Sequence, residues 1–152
     1  MGISRKLATL CVLLALLLAG APSVFADTTT VKNGTQTFAD VLPCAAPGDY
    51  VITLTFNAVE HTSTAANGSE HHTVKMTGTL TAVPVSGIGP SYTGHFTTGN
   101  SDNGNANSAT FTVAFTIHAV GSDGSRLTFH DTVHSTINTS GLIVIFDKPR
   151  CA

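Results

Sequence analysis

The chain has 152 residues, with seven Lys and Arg against nine Asp and Glu and a formal charge of −2. A weakly acidic chain without a basic stripe is poorly suited to nucleic acid or an anionic membrane surface, so we expect neither as a partner. Tryptophan is absent, threonine is abundant, and Glu and Lys are scarce, which favours strands over helices.

Residues 1–26 have the features of a secretory signal peptide. Two basic residues precede an uncharged apolar run over residues 7–20, and small residues then lead to Ala26. This pattern predicts cleavage after Ala26, and the run is too short for a membrane-spanning helix. We therefore expect a secreted, extracellular mature chain, residues 27–152, that forms a single β domain and has no membrane association after signal cleavage.

The mature chain keeps two cysteines, Cys44 and Cys151. An even pair in an exported protein predicts a disulfide bond. Because the bond would close a loop of over a hundred residues, the chain-entropy estimate of its stabilisation is about 4–5 kcal/mol. Neither cysteine lies in a Cys-x-x-Cys motif or beside a histidine, which disfavours a reactive or metal-binding thiol pair.

The first half of the mature chain predicts short edge strands within residues 27–43 and then a long hairpin. Residues 50–61 and 72–83 both alternate apolar and polar side chains, which is the period-two pattern of a half-buried strand. Since both apolar sets must face one core, their connection must have an odd length or contain a bulge. His61 then lies opposite or diagonal to Thr73.

A short strand over residues 91–98 lies between two predicted loops. Residues 84–90 are rich in Pro and Gly, which ends the preceding strand. Residues 99–108 contain a single apolar side chain, Ala106. We therefore predict a mobile, solvated loop over this second segment.

Residues 109–138 have the clearest pattern, two alternating strands joined by a Ser-Asp-Gly-Ser turn. Their apolar faces match only if the numbers of opposed residues sum to an even value. A three-residue Asp-Gly-Ser connection with Gly124 in the left-handed conformation meets this condition. It pairs His118 with His130.

A last strand at residues 142–146 is apolar at both odd- and even-numbered positions, so both of its faces are apolar. This pattern predicts a strand that is covered on both faces or central in its sheet. The total is seven to eight strands with no helical periodicity after the signal peptide. The sequence therefore predicts an all-β protein, an antiparallel barrel or sandwich. The up-and-down order of the hairpins and the predicted disulfide bond between the two ends of the domain favour the barrel.

Three segments of the chain resemble a group of uncharacterised small secreted β-rich proteins of actinobacteria. They are Gly-Ser-Asp-Gly-Ser-Arg-Leu-Thr-Phe-His at residues 121–130, the following His134, and the ending Phe-Asp-Lys-Pro-Arg-Cys. The threonine-rich strands at residues 53–81 are similar as well, so the resemblance covers most of residues 44–151. It implies export, a disulfide bond and a β fold, and it implies no activity.

Seven histidines are the unusual feature of a chain so poor in charge. Six of them fall at the alternate strand positions that carry the threonines, which we call the threonine parity, and His72 is the exception. In the predicted register the Cβ atoms of His118 and His130 lie about 4.5–5.5 Å apart, so their imidazoles can share a metal ion. A stronger site would need a third ligand, for which the candidates are His61, His71 and His95. The favoured interpretation is a solvated threonine-histidine face without a ligand. Weak metal binding is an alternative, and so is a pH-dependent surface, because two facing imidazoles repel when protonated.

Two acidic residues also have informative positions. Asp131 falls on the apolar parity opposite Ile117, where a carboxylate is costly unless it is hydrogen-bonded. It cannot form a catalytic dyad with His130, because adjacent residues of a strand point to opposite faces. Glu60 shares the parity of His72, which predicts a salt bridge between them.

No motif predicts catalysis. There is no Gly-x-Ser-x-Gly, no free cysteine and no phosphate-binding loop followed by a lysine, so we expect neither an enzyme nor a cofactor. The sequence favours a non-catalytic binding or extracellular structural module whose partner is a small ligand or an extracellular protein. The alternatives are a weak zinc or copper binder that uses the strand histidines and a lipocalin-like barrel that holds a small apolar ligand.

Overall fold

The structure is a computed structural model that describes residues 25–141 and 143–152, apart from the side chain of Val144. The predicted signal peptide lies outside the described residues except for its last two. Eight strands follow in chain order: β1 (Phe25–Val41), β2 (Asp49–Thr64), β3 (Glu70–Pro84), β4 (Tyr92–Gly104), β5 (Ser108–Gly121), β6 (Arg126–Asn138), β7 (Ile143–Asp147) and β8 (Arg150–Cys151). In this part of the chain there is no helix long and apolar enough to cross a membrane.

The strands form one antiparallel sheet in up-and-down order. β1 to β7 pair in sequence, and β8 pairs with β6 beside β7. An all-β antiparallel sheet of seven to eight strands is thereby confirmed, but the closure into a barrel is wrong, because β1 and β7 are free edges. Seven antiparallel strands in this order leave β1 parallel to β7, so a direct closing pair would require a parallel ladder.

The period-two pattern divides the sheet into two faces. On the inner face, Ile52 opposes Ala82 and Ala82 opposes Tyr92; on the outer face, Thr53 opposes Thr81 and Thr81 opposes Thr93. The inner face carries the core, and the threonine parity is the solvent side. The buried core residues are Leu42, Tyr50, Ile52, Leu80, Ala82, Tyr92, Phe96, Ile117, Ala119, Leu127 and Phe129.

One predicted loop, at residues 99–104, and the predicted short edge strands within residues 27–43 differ from the structure. β4 extends to Gly104, so residues 99–104, predicted as a loop, pair with β3 on one side and β5 on the other. Backbone pairing with two neighbours outweighs their polar composition. β1 is a single edge strand of 17 residues with a bulge between Val31 and Gly34, where Asn33 has a φ of 54°. Asn33 and Gly34, a dipeptide typical of turns, therefore form a bulge within a strand.

The β2–β3 hairpin has the predicted odd-length connection. Thr64 opposes Glu70, which leaves five residues between the strands, and His61 lies directly opposite Thr73. The prediction from parity is confirmed here.

The β5–β6 hairpin has a three-residue connection with Gly124 at a φ of 84°, as predicted, but its centre lies one residue earlier. Val120 opposes Arg126, and the loop is Ser-Asp-Gly. The Asp123 carboxylate accepts a hydrogen bond of 2.9 Å from the backbone N–H of Ser125, which fixes the turn at this position. The hydrogen bonds from Ser125 also hold the pKa of Asp123 below its usual value.

The shifted turn corrects two predicted pairs. His118 opposes Thr128 rather than His130, and Asp131 opposes Phe115 rather than Ile117. Asp131 does lie on the inner face, as its parity predicts.

The two cysteines lie at disulfide distance, with Cα atoms 5.6 Å apart. Cys44 is in the β1–β2 connection and Cys151 is in β8. The bond therefore joins the first connection of the sheet to the strand beside its last edge. At this end the sheet is curled, because Leu42 and Phe38 border the same cleft as Phe115 of β5.

Candidate functional site

The histidines follow the predicted division between the faces. All seven lie on strands, and every one except His72 is on the outer face. The outer face is the one exposed to solvent, so these six imidazoles do not line an interior.

Four of the outer histidines are hydrogen-bonded to a polar side chain that lies directly opposite on a neighbouring strand. Three of those partners are threonine hydroxyls and one is an asparagine amide. The Nδ1 pairs are His61 with Thr28 Oγ1 (3.0 Å), His130 with Thr116 Oγ1 (2.9 Å), His134 with Thr112 Oγ1 (2.8 Å), and His71 with Asn103 Oδ1. These imidazoles are held in place by the sheet itself.

The other two outer histidines, His95 and His118, oppose each other on β4 and β5. Both are exposed, and neither forms a hydrogen bond or ion pair with any described residue. Directly opposed residues have Cβ atoms about 4.5–5.5 Å apart. The pair borders a cleft of 510 Å³ on the outer face, together with Thr79, Thr93 and Thr128.

The predicted ligand pair was His118 and His130, and the structure does not place them opposite each other. His130 is diagonal to His118, because its direct partner is Thr116. Among residues 25–141 and 143–152, no three His, Cys, Asp or Glu side chains are arranged to hold a metal ion. The geometry therefore offers a two-histidine site at His95 and His118.

His95 was only one of three candidate third ligands in the sequence. Its position opposite His118 depends on the β4–β5 register, which is set by the turn at residues 105–107. That turn lay hidden in a polar segment that predicted one long loop. An Asn-x-Asn pattern beside a Ser was the available signal: Asn105 Oδ1 accepts hydrogen bonds from the N–H groups of Asn107 and Ser108, at 2.8 and 2.9 Å.

The remaining histidine, His72, lies on the inner face between two carboxylates. Its Nε2 is 2.8 Å from Glu60 Oε1 and its Nδ1 is 3.3 Å from Asp102 Oδ2. The predicted Glu60–His72 pair is thus confirmed. The hydrogen bond to Glu60, followed by the one to Asp102, raises the pKa of His72. Since each ring nitrogen faces a carboxylate, His72 bridges β2, β3 and β4, and the two carboxylates favour its protonated form.

We expect the His72 bridge to make stability depend on pH. A histidine with a raised folded-state pKa stabilises fully below its unfolded pKa of about 6.5, and this contribution disappears as the pH rises through the folded pKa. His72→Gln should therefore lower the urea midpoint more at pH 5.5 than at pH 9. Glu60→Gln is the matched control and should remove most of the same pH dependence. A loss that is equal at both pH values would contradict the prediction.

At its polar end the inner face has a cleft of 320 Å³ beside His72, Asp102 and Phe111. The aromatic core of the inner face leaves little room for a ligand. Its aromatic rings pack against one another, with centroids 6.3 Å apart for Phe96 and Phe115 and 6.2 Å apart for Phe115 and Phe129. The cleft between Phe38, Leu54 and neighbouring core side chains measures 220 Å³. The closed lumen that a lipocalin-like barrel requires is not formed by the open sheet.

No protein-family model matches the chain, and neither a curated protein nor a solved structure matches it. Function is therefore inferred from the geometry of the two faces.

Proposed function

We propose that this protein is an exported, non-catalytic binding module that holds a zinc or copper ion at the His95–His118 pair. The observation that supports this proposal is the juxtaposition of two exposed imidazoles that have no partner among the described residues. The other outer histidines each have one, so the unpartnered pair is distinct among them.

Imidazole nitrogen is a suitable ligand for zinc and copper. An antiparallel pair of directly opposed histidines brings two such nitrogens from β4 and β5 to one side of the sheet. With two protein ligands, water completes the coordination shell, so the affinity is modest and the ion stays exchangeable. His130 is diagonal to this pair, and the Thr116 hydroxyl bonds its Nδ1 and leaves its Nε2 free.

Export is part of the proposal. Residues 1–26 have the pattern of a signal peptide, and the Cys44–Cys151 pair is consistent with an oxidising extracellular environment. The absence of a nucleophile motif in the sequence supports a binding role rather than catalysis.

Calorimetric titration of oxidised residues 27–152 with Zn²⁺ and Cu²⁺ tests the metal proposal. We expect His95→Gln and His118→Gln each to weaken binding about tenfold or more, since loss of a group that only orients a metal ligand already has effects of that size. Because protons compete with the metal for imidazole, binding should also weaken between pH 7.5 and pH 5.5.

Two matched histidine variants serve as controls. His61→Gln and His134→Gln remove imidazoles that are bonded to threonine, and they should leave the affinity unchanged. The proposal fails if His95→Gln binds as tightly as the unmodified protein, or if the controls lose as much affinity as the ligand variants.

A further inference from the structure

β7 is an edge strand with exposed apolar side chains on both faces. Ile143 and Ile145 on the inner parity are 56% and 68% exposed, and Phe146 on the outer parity is 44% exposed. The apolar pattern predicted a strand that is central or covered on both faces, and this is wrong for the chain by itself. The composition is that of a central strand, whereas the position is that of an edge.

The two edges of the sheet differ in how they are protected. Natural proteins block edge strands with bulges, charges or proline. β1 has the bulge between Val31 and Gly34, with Lys32 within it. β7 has no bulge, charge or proline from Ile143 to Phe146, so its backbone is open to a further strand. A strand antiparallel to β7 would also be antiparallel to β1, because those two edges run in the same direction.

The inner face beside this edge has unbalanced negative charge. Asp147 ends β7, and Asp131 lies next to it on β6, with its Oδ1 buried and without a hydrogen-bond partner. Burial, followed by the charge of Asp131, raises the pKa of Asp147. The two nearby cations lie on the outer face: Lys148 is over the Phe146 ring, 4.4 Å from its centroid, and Arg150 opposes His130. In the described chain, ion pairs are formed only around His72.

We propose that the free edge of β7 binds an extended peptide segment of another protein by strand addition. The peptide runs antiparallel to β7, with a Lys or Arg opposite Asp147 and aliphatic side chains opposite Ile145 and Ile143. Main-chain hydrogen bonds provide the affinity, and the alternate side chains provide the specificity. This surface is independent of the metal site, which lies on the outer face of β4 and β5.

Charge complementarity favours such a peptide over a second copy of this chain. Two copies of β7 paired antiparallel about Ile145 would place Ile143 opposite Asp147 of the other copy. Both carboxylates would then remain without a cation. A basic peptide neutralises the acidic end of the edge and covers its aliphatic part.

The probe is the fluorescent peptide Thr-Arg-Thr-Val-Thr-Val-Thr, compared by anisotropy with the same peptide carrying Glu in place of Arg. We expect the protein to prefer the Arg peptide about threefold to fivefold, the size of an exposed ion pair. Asp147→Lys should reverse this preference. Asp49→Lys makes the same charge change at the start of β2 and should leave the preference as it is.

Backbone pairing is tested with two peptides that are N-methylated at adjacent central residues. Successive amides of a strand point to opposite sides, so one methyl group should abolish binding and its neighbour should have little effect. The proposal is overturned if the Arg peptide does not bind at millimolar concentration or if both methylated peptides bind equally. It is also overturned if light scattering shows a dimer that Ile145→Lys converts to a monomer, because a second copy would then occupy the edge.

Discussion

Replacement of both Cys44 and Cys151 by serine should lower the free energy of unfolding by about 4–5 kcal/mol. The two residues are 107 positions apart, so the bond closes a long loop and thereby lowers the conformational entropy of the unfolded mature chain. For a domain of this size we expect Tm to fall by roughly 15 °C. Urea denaturation of the oxidised protein and of the double variant, both without reductant, measures the difference.

The open sheet gives this bond a particular role. β1 and β7 do not pair, and the bond between the β1–β2 connection and β8 links the two sides of the sheet covalently. Reduced wild-type protein is the control and should unfold at the same urea concentration as the double variant. A loss below about 1 kcal/mol would mean that the unfolded chain is already compact or that the bond is strained in the folded state.

Leu80→Ala should destabilise the protein by about 2–5 kcal/mol, through lost burial and the cavity that remains. Leu80 is 1% exposed, lies in the C-terminal half of β3, and opposes Leu54 on one side and Gly94 on the other. The measurement is the urea midpoint at a fixed denaturation slope.

Val83→Ala is the matched control for this core substitution. It removes aliphatic carbons from the same strand, but Val83 is 52% exposed on the outer face. Exposed substitutions usually change stability by less than about 0.5 kcal/mol. Equal losses for the two variants would show that the inner and outer faces are not the buried and solvated sides.

Period-two alternation predicted the strands and the division of their side chains between two faces, because burial on one side imposes it. It predicted that His61 lies opposite or diagonal to Thr73, since the connection there has the required odd length. It could not distinguish two registers of the β5–β6 hairpin, because both keep the apolar faces together. The side chain of Asp123 decides between them, and the two-residue change separates His118 from His130.

Composition was misleading where pairing partners are distant in sequence. The polar residues 99–104 form strand because β3 and β5 lie on both sides of them, and this was not visible in their own pattern. The same applies to the candidate metal site, since the histidine opposite His118 is fixed by the turn at residues 105–107, which follows this strand segment. Closure into a barrel also depends on the number of strands. Seven strands precede Lys148-Pro149, and because seven is odd, the two edge strands run in the same direction.

The order of strands in the sheet has a consequence for how the chain folds. Every strand from β1 to β7 pairs with its neighbours in sequence, so each hairpin forms by closing a short loop, which carries a small entropic cost. Topologies with local pairing fold faster than Greek-key sandwiches of similar size. Cys44 and Cys151 belong to the first connection and the final strand, so we expect them to meet only after the intervening hairpins have assembled. We therefore expect oxidation to be a late step that locks a sheet which is already formed.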